Sequence, residues 1–183
     1  MDTLPIQIII KIFDYFDHED LMKIYNLDYK KNGILNDYYK DIIKNNVWNN
    51  ITIKLRKKKR IEKFIETGWV KCFTNYDLSK SDITNELLES FSHSLVLNFN
   101  QCGYNLTNNC TQYMTNCHTV DLSYNFNIND DDIKCLQNCR VVKLQHCQNL
   151  TDKCIEYLQN CSEVNLDECP NITQEGLQKL NHI

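Results

Sequence analysis

The chain has 183 residues, 42% of them apolar, and a net charge of −4 at neutral pH. That is enough apolar material for a substantial core, which excludes a disordered polymer, and so mild a charge implies neither nucleic acid nor a membrane surface as a partner. Ten cysteines would suit a disulfide-stapled secreted domain, yet Met1-Asp2-Thr3-Leu4-Pro5 has no basic leader start or cleavage site, so the expectation is a soluble cytoplasmic protein.

The first predicted element is an amphipathic helix. Ile8, Ile9, Ile12, Phe13 and Phe16 recur at helical spacing behind Pro5, whose fixed φ suits a first helical turn. Lys11 and Asp14 interrupt the apolar run, so it is too short and too charged to span a bilayer. Asp17-His18-Glu19-Asp20 breaks the chain, and Asp17 is placed to cap a second helix containing Leu21, Met22, Ile24 and Leu27. Asn32-Gly33 is a stop signal for that helix.

The string Leu4-Pro5, Ile8-Ile9, Ile12-Phe13, Asp20-Leu21 and Leu27, closed by Val47-Trp48, resembles the F-box. That family is a helical module that docks on the Skp-type adaptor of cullin-RING ubiquitin ligases. Gln7 stands where an acid is common, and the stretch from Leu27 to Trp48 is about seven residues longer than usual. The resemblance implies an F-box-like module over 1–50, with Leu4, Pro5, Ile8, Ile9, Ile12, Phe13 and Leu21 as adaptor contacts. An ordinary helical cap for the rest of the chain is the alternative.

Ile51, Ile53 and Leu55 alternate as a strand, and Arg56-Lys57-Lys58-Lys59-Arg60 after them reads as a solvated connection that nuclear import factors could also read. This stretch, 51–75, is expected to be a degenerate capping repeat.

From residue 76 to 183 the chain repeats itself. Val120-Asp-Leu122-Ser-Tyr-Asn125, Val142-Lys-Leu144-Gln-His-Cys147 and Val164-Asn-Leu166-Asp-Glu-Cys169 lie 22 residues apart, each followed by a Thr-Asp-like pair and a short apolar segment. Weaker copies begin near Leu97 and Asp77, giving five recognisable repeats and a cap. Each copy reads as a strand, a turn closed by a small buried residue, and a capped segment such as Lys153 to Gln159 that buries Ile155 and Leu158. No copy can bury its apolar face alone, so the copies must stack into a solenoid.

The pattern looks like the cysteine-containing leucine-rich repeats, with Cys102, Cys147 and Cys169 after the strand and Cys117, Cys139 and Cys161 before the next one. The resemblance implies an α/β solenoid with a parallel sheet of short strands. The period is a few residues shorter than usual in that subclass, which leaves full helical turns and 3₁₀ turns both open for the convex side.

The side chains flanking each strand are predicted to face outward as a ladder: Asp77 and Ser79, Asn98 and Asn100, Asp121 and Ser123, Lys143 and Gln145, Asn165 and Asp167. Tyr124, His146 and Glu168 follow one step later, and Tyr124 has the chemistry of an anchor. A target protein would bind here, although solvated strand residues would read the same way. Of six sequons, those at Asn105, Asn149 and Asn171 coincide with the repeat's own turn letters. The repeated cysteines read as small buried hydrophobes rather than metal ligands, for no C-x-x-C occurs.

No P-loop, G-x-S-x-G or H-E-x-x-H is present, so neither an enzyme nor a cofactor is expected. Together the two resemblances imply a substrate-recognition adaptor of a ubiquitin ligase. The alternative is a leucine-rich-repeat scaffold or decoy that recruits no ligase.

Overall fold

A computed structural model describes residues 52–66, 69–107 and 109–180. Six three-residue strands form one all-parallel sheet in sequence order: β1 (Thr52–Lys54), β2 (Asn75–Asp77), β3 (Val96–Asn98), β4 (Thr119–Asp121), β5 (Val141–Lys143) and β6 (Glu163–Asn165). Between them run α1 (Lys58–Glu66), α2 (Asn85–Leu88), α3 (Asp130–Ile133) and α4 (Ile155–Leu158), and α5 (Gln174–Leu177) follows β6. The alternation of strand and helical turn makes the array solenoid-like. Among the described residues no helix is long and apolar enough to cross a membrane.

Register follows from the middle residue of each strand. Ile53, Tyr76, Leu97, Val120, Val142 and Val164 stand opposite one another along the sheet, and all but Val164 are buried. Their flanking residues point to the other face, as the period of two requires. The β1 strand is a full member of this sheet, with Ile53 and Leu55 in the core beside Ile61 and Phe64 of α1. Ile61 and Phe64 are three apart on the helix and so share one face. The basic run is more than a solvated connection: Lys57, Lys59 and Arg60 are exposed, but Lys58, Lys59 and Arg60 form the first turn of α1.

Opposite the sheet, both helix types occur. Single α-turns of four residues abut 3₁₀ turns at Glu89–Phe91, Lys134–Leu136 and Asp152–Cys154, while the copy after β3 carries 3₁₀ turns alone, at Gly103–Asn105 and Cys110–Tyr113. A 22-residue period leaves room for little more than one turn on this side. Capping is as the letters require. The Asn129 side chain accepts from the N–H of Asp131 while the Asp132 carboxylate accepts from the N–H of Asn129, a capping box. The Thr151 and Thr173 hydroxyls accept from the N–H groups of Lys153 and Gly176. Ile155 and Leu158 are buried as expected.

Rows of polar side chains tie neighbouring copies together. After each strand comes one row: the Cys102 thiol donates to the Leu78 carbonyl, the Asn125 amide to that of Phe99, Cys147 to that of Leu122 and Cys169 to that of Leu144. Burial raises the thiol pKa in this row and at the cysteines that precede the strands, to about 12 for Cys117, Cys139 and Cys147, which leaves them as weak donors in an apolar setting. A second row uses asparagines, whose amides at 105, 127, 149 and 171 donate to the carbonyls of Ser81, Leu106, Phe126 and Gln148. Glycosylation at Asn105, Asn149 or Asn171 would consume a donor of this row.

Candidate functional site

The adaptor contacts expected at Leu4, Pro5, Ile8, Ile9, Ile12, Phe13 and Leu21 lie outside the described residues. The target-binding ladder lies within them. Each strand from β2 to β6 ends in the same sharp turn, with the residue two places after the core leucine or phenylalanine in left-handed conformation: Lys80, Gln101, Tyr124, His146 and Glu168 have φ between 55° and 62°. None is glycine, and each such residue costs about 1 kcal/mol of backbone strain. The turn is offset by bonds that the strand-ending residue supplies. Asp77, Asn98, Asp121 and Asn165 each accept, through the side chain, from the N–H two residues on, at 3.1, 2.9, 2.9 and 3.0 Å. Four ladder positions thus serve the turn with one oxygen, and Lys143 interrupts the row.

The ladder also needs one correction. Ser123 does not face outward: it is fully buried, and its Oγ accepts from the Gln145 N–H at 3.2 Å. The strand ends at Asp121 and Ser123 belongs to the turn; its counterparts Ser79, Asn100, Gln145 and Asp167 keep exposure there, and Ser123 loses it because its short side chain lies against the Gln145 N–H of the next copy. Asn100, Tyr124, Lys143, Gln145 and His146 are half-buried, and Asp167 is exposed. Tyr124 and His146 meet as a stacked pair, ring centroids 4.4 Å apart with planes 29° from parallel. The left-handed backbone at both positions sets these rings side by side along the sheet margin, a rigid aromatic surface of the kind that anchors partners.

Charge along the array is uneven. At the β1 end, Arg56 donates to the Asp77 carboxylate at 2.9 Å and also to the Asp77 carbonyl. Burial alone would raise the Asp77 pKa, but the bonds from Arg56 and Ser79 outweigh it and hold the carboxyl below its usual value. Arg56 is a site residue that the expected ladder lacks; its place next to the strand Thr52–Lys54 was the available signal. Residues 52–82 carry nine Lys or Arg against four Asp or Glu, whereas residues 119–180 carry five against ten. The array is therefore basic near β1 and acidic near β6.

Among the described residues the core is less covered beyond β6. Val164, Leu166, Ile172 and Leu177 line a cleft of about 680 Å³ together with Asp167, Glu168 and Gln178. Leu166, Cys169 and Leu180 are 6–7% exposed, while Leu122, Leu144 and Cys147 are at 0%. Among the described residues no cluster of His, Cys, Asp or Glu is arranged to hold a metal. What the arrangement can do is bind: it offers outward polar rungs, an aromatic pair and an unsealed apolar end. No protein-family model matches the chain, and no curated protein matches it.

Proposed function

We propose that this chain is the substrate-recognition adaptor of a Skp-cullin-F-box type ubiquitin ligase, its N-terminal segment docking the Skp-type adaptor and its leucine-rich repeats holding a target protein. The observation that carries the reading is the joining of two unlike parts. The string from Leu4-Pro5 through Ile8-Ile9, Ile12-Phe13 and Asp20-Leu21 resembles the F-box, and behind it stands a stacked repeat array whose sheet margin presents Tyr124, Lys143, Gln145, His146 and Asp167. Such an adaptor performs no chemistry itself. It acts by proximity, since holding a target beside a charged ubiquitin carrier raises the effective concentration of their encounter.

The docking helix would work by laying apolar side chains into a groove of the adaptor, which an introduced carboxylate abolishes. The test is a pull-down of the purified chain with a Skp-type adaptor, beside a variant carrying Ile9→Asp and Phe13→Asp whose repeats remain folded by circular dichroism. Capture by the parent and its loss in the variant is the expected result. Failure of the parent to bind would leave a repeat scaffold without ligase recruitment as the reading to pursue.

A further inference from the structure

Lys143 breaks the pattern of its row at a structural cost. At the ends of β2, β3, β4 and β6 an Asp or Asn side chain accepts from the N–H two residues on. A lysine has no acceptor to offer. The Gln145 N–H therefore lacks that bond and donates instead to the Ser123 Oγ of the neighbouring copy, at 3.2 Å. Ser123, unlike its counterparts, is fully buried in this role. A turn that relies on a neighbour's hydroxyl because its own strand end carries an ammonium is a local rule broken without structural gain, and such breaks concentrate at functional positions.

No internal partner explains the lysine. Lys143 stands in register between Asp121 and Asn165, yet the Asp121 carboxylate accepts from the Ser123 N–H. The Lys143 side chain makes no hydrogen bond or ion pair among the described residues. It is half-buried, and it is the only Lys or Arg at the outward positions of β3 to β6 and their turns. Half-buried Val141 precedes it on the same strand face, and the turn beyond it carries His146, stacked on Tyr124 of the neighbouring copy. An unpaired cation set between apolar surfaces matches an anion that brings an apolar neighbour of its own. Asp121 and Asp167 belong to the copies on either side, so a doubly charged phosphate would meet a repulsion that a single carboxylate largely avoids.

We infer that Lys143 sets the specificity of the repeats: they hold a target segment with one Asp or Glu beside an apolar or aromatic residue. The carboxylate sits on the Lys143 ammonium and the apolar side chain lies against the rings of Tyr124 and His146. The inference rests on the reading that the outward face of the sheet holds a target. Such a bond is charge-assisted, and it strengthens where the apolar side chain excludes water. The other positions of the segment are neutral or basic, since Asp121 and Asp167 disfavour further acids.

The test begins with selection of phage-displayed random peptides on the full chain, which is expected to enrich sequences with one acid next to an apolar or aromatic residue. A labelled synthetic copy of the leading peptide is then followed by fluorescence anisotropy. Replacing its acid by the amide weakens binding about tenfold, and so does Lys143→Asn in the protein; the two losses together do not add, because each removes the same bond. Lys143→Asn restores the strand-end acceptor of the other copies, so its thermal midpoint lies at or above the parent's. A clear fall in that midpoint would make Lys143 a structural residue and overturn the inference. Enriched peptides that require Tyr124, by loss on Tyr124→Ala, but carry no acid or ignore Lys143→Asn would overturn it too while leaving the target-holding face in place. Tighter binding of a phosphoserine in place of the acid would assign the position to phosphate instead. No enrichment, or peptides indifferent to both variants, would overturn the inference together with the reading of the face.

Discussion

The copy that begins at Val142 and the copy that begins at Val164 are written in nearly the same letters, yet they are not buried alike. Val142, Leu144 and Cys147 are inaccessible, while Val164 is half-buried and Leu166 and Cys169 retain 7% and 6% of their exposure. The residues are of the same types in the same backbone; what differs is the presence of a further copy beyond them. In this fold a side chain's burial is supplied by its neighbour in the stack, so stability is a property of interfaces between copies.

Leu144→Ala and Leu166→Ala sharpen the contrast most. The first empties a site enclosed on both sides and is expected to cost about 3 kcal/mol, the usual range for a buried leucine. The second removes a side chain whose outer flank is already open, and is expected to cost roughly half as much. Urea denaturation followed by circular dichroism measures both. Equal losses would mean that the last copy is sealed in solution, and the comparison would fail.

How far the letters carried this picture is visible in individual residues. The strand centres, the buried row through Asn125 and Cys147, and the pair Ile155 and Leu158 were legible because each derives from a period of 22, of two or of helical spacing. Ser123 was not. Its counterparts Ser79 and Asn100 keep exposure at the same step, and its burial comes from the Gln145 N–H, a partner that belongs to the next copy. The asparagines at 105, 127, 149 and 171 were visible as a repeated letter, but their role depends on a carbonyl 21 to 24 residues earlier that stacking alone brings near. Arg56 was read with its basic neighbours as solvated because the carboxylate it meets, Asp77, belongs to the next strand.

The polar row offers a second contrast, between an interior member and the last one. Asn125 is fully buried and its amide donates to both the Phe99 and Leu122 carbonyls at 2.9 Å, although its own Oδ1 has no partner. Asn125→Leu takes one donor each from the buried Phe99 and Leu122 carbonyls and is expected to cost about 2 kcal/mol. Asn125→Cys restores the donor used by the neighbouring copies and removes the unpartnered oxygen, so its expected cost is under about 1 kcal/mol. Cys169→Ala removes one weak thiol donor from the Leu144 carbonyl, which still accepts from the Cys147 N–H, and falls in the same small range. Thermal denaturation of the three variants orders them; an Asn125→Cys protein as damaged as Asn125→Leu would show that the row tolerates no exchange of its donors.

The smallest effect expected concerns the clip that holds the last copy. Asp152 accepts from both the N–H and the hydroxyl of Thr173, at 2.8 and 2.6 Å, just as Asp130 does from Thr151 one copy earlier. These two bonds from Thr173 hold the Asp152 carboxyl below its usual value of 3.8. A depressed folded pKa means that the clip contributes fully above the unfolded value and is lost as the pH falls through the folded one. Acidification below about pH 4 should therefore loosen the clip, and the effect should be local. Among the described residues Thr173 to Leu180 have a neighbouring copy on one side alone, so weakening that interface frays them before it touches β4 or β5. Hydrogen exchange read by mass spectrometry across this pH range is expected to show early loss of protection in that segment, with Asp152→Ala producing the same pattern at neutral pH. Uniform loss along the array would place the cooperative unit at the whole solenoid and would make the open end no weaker than its interior.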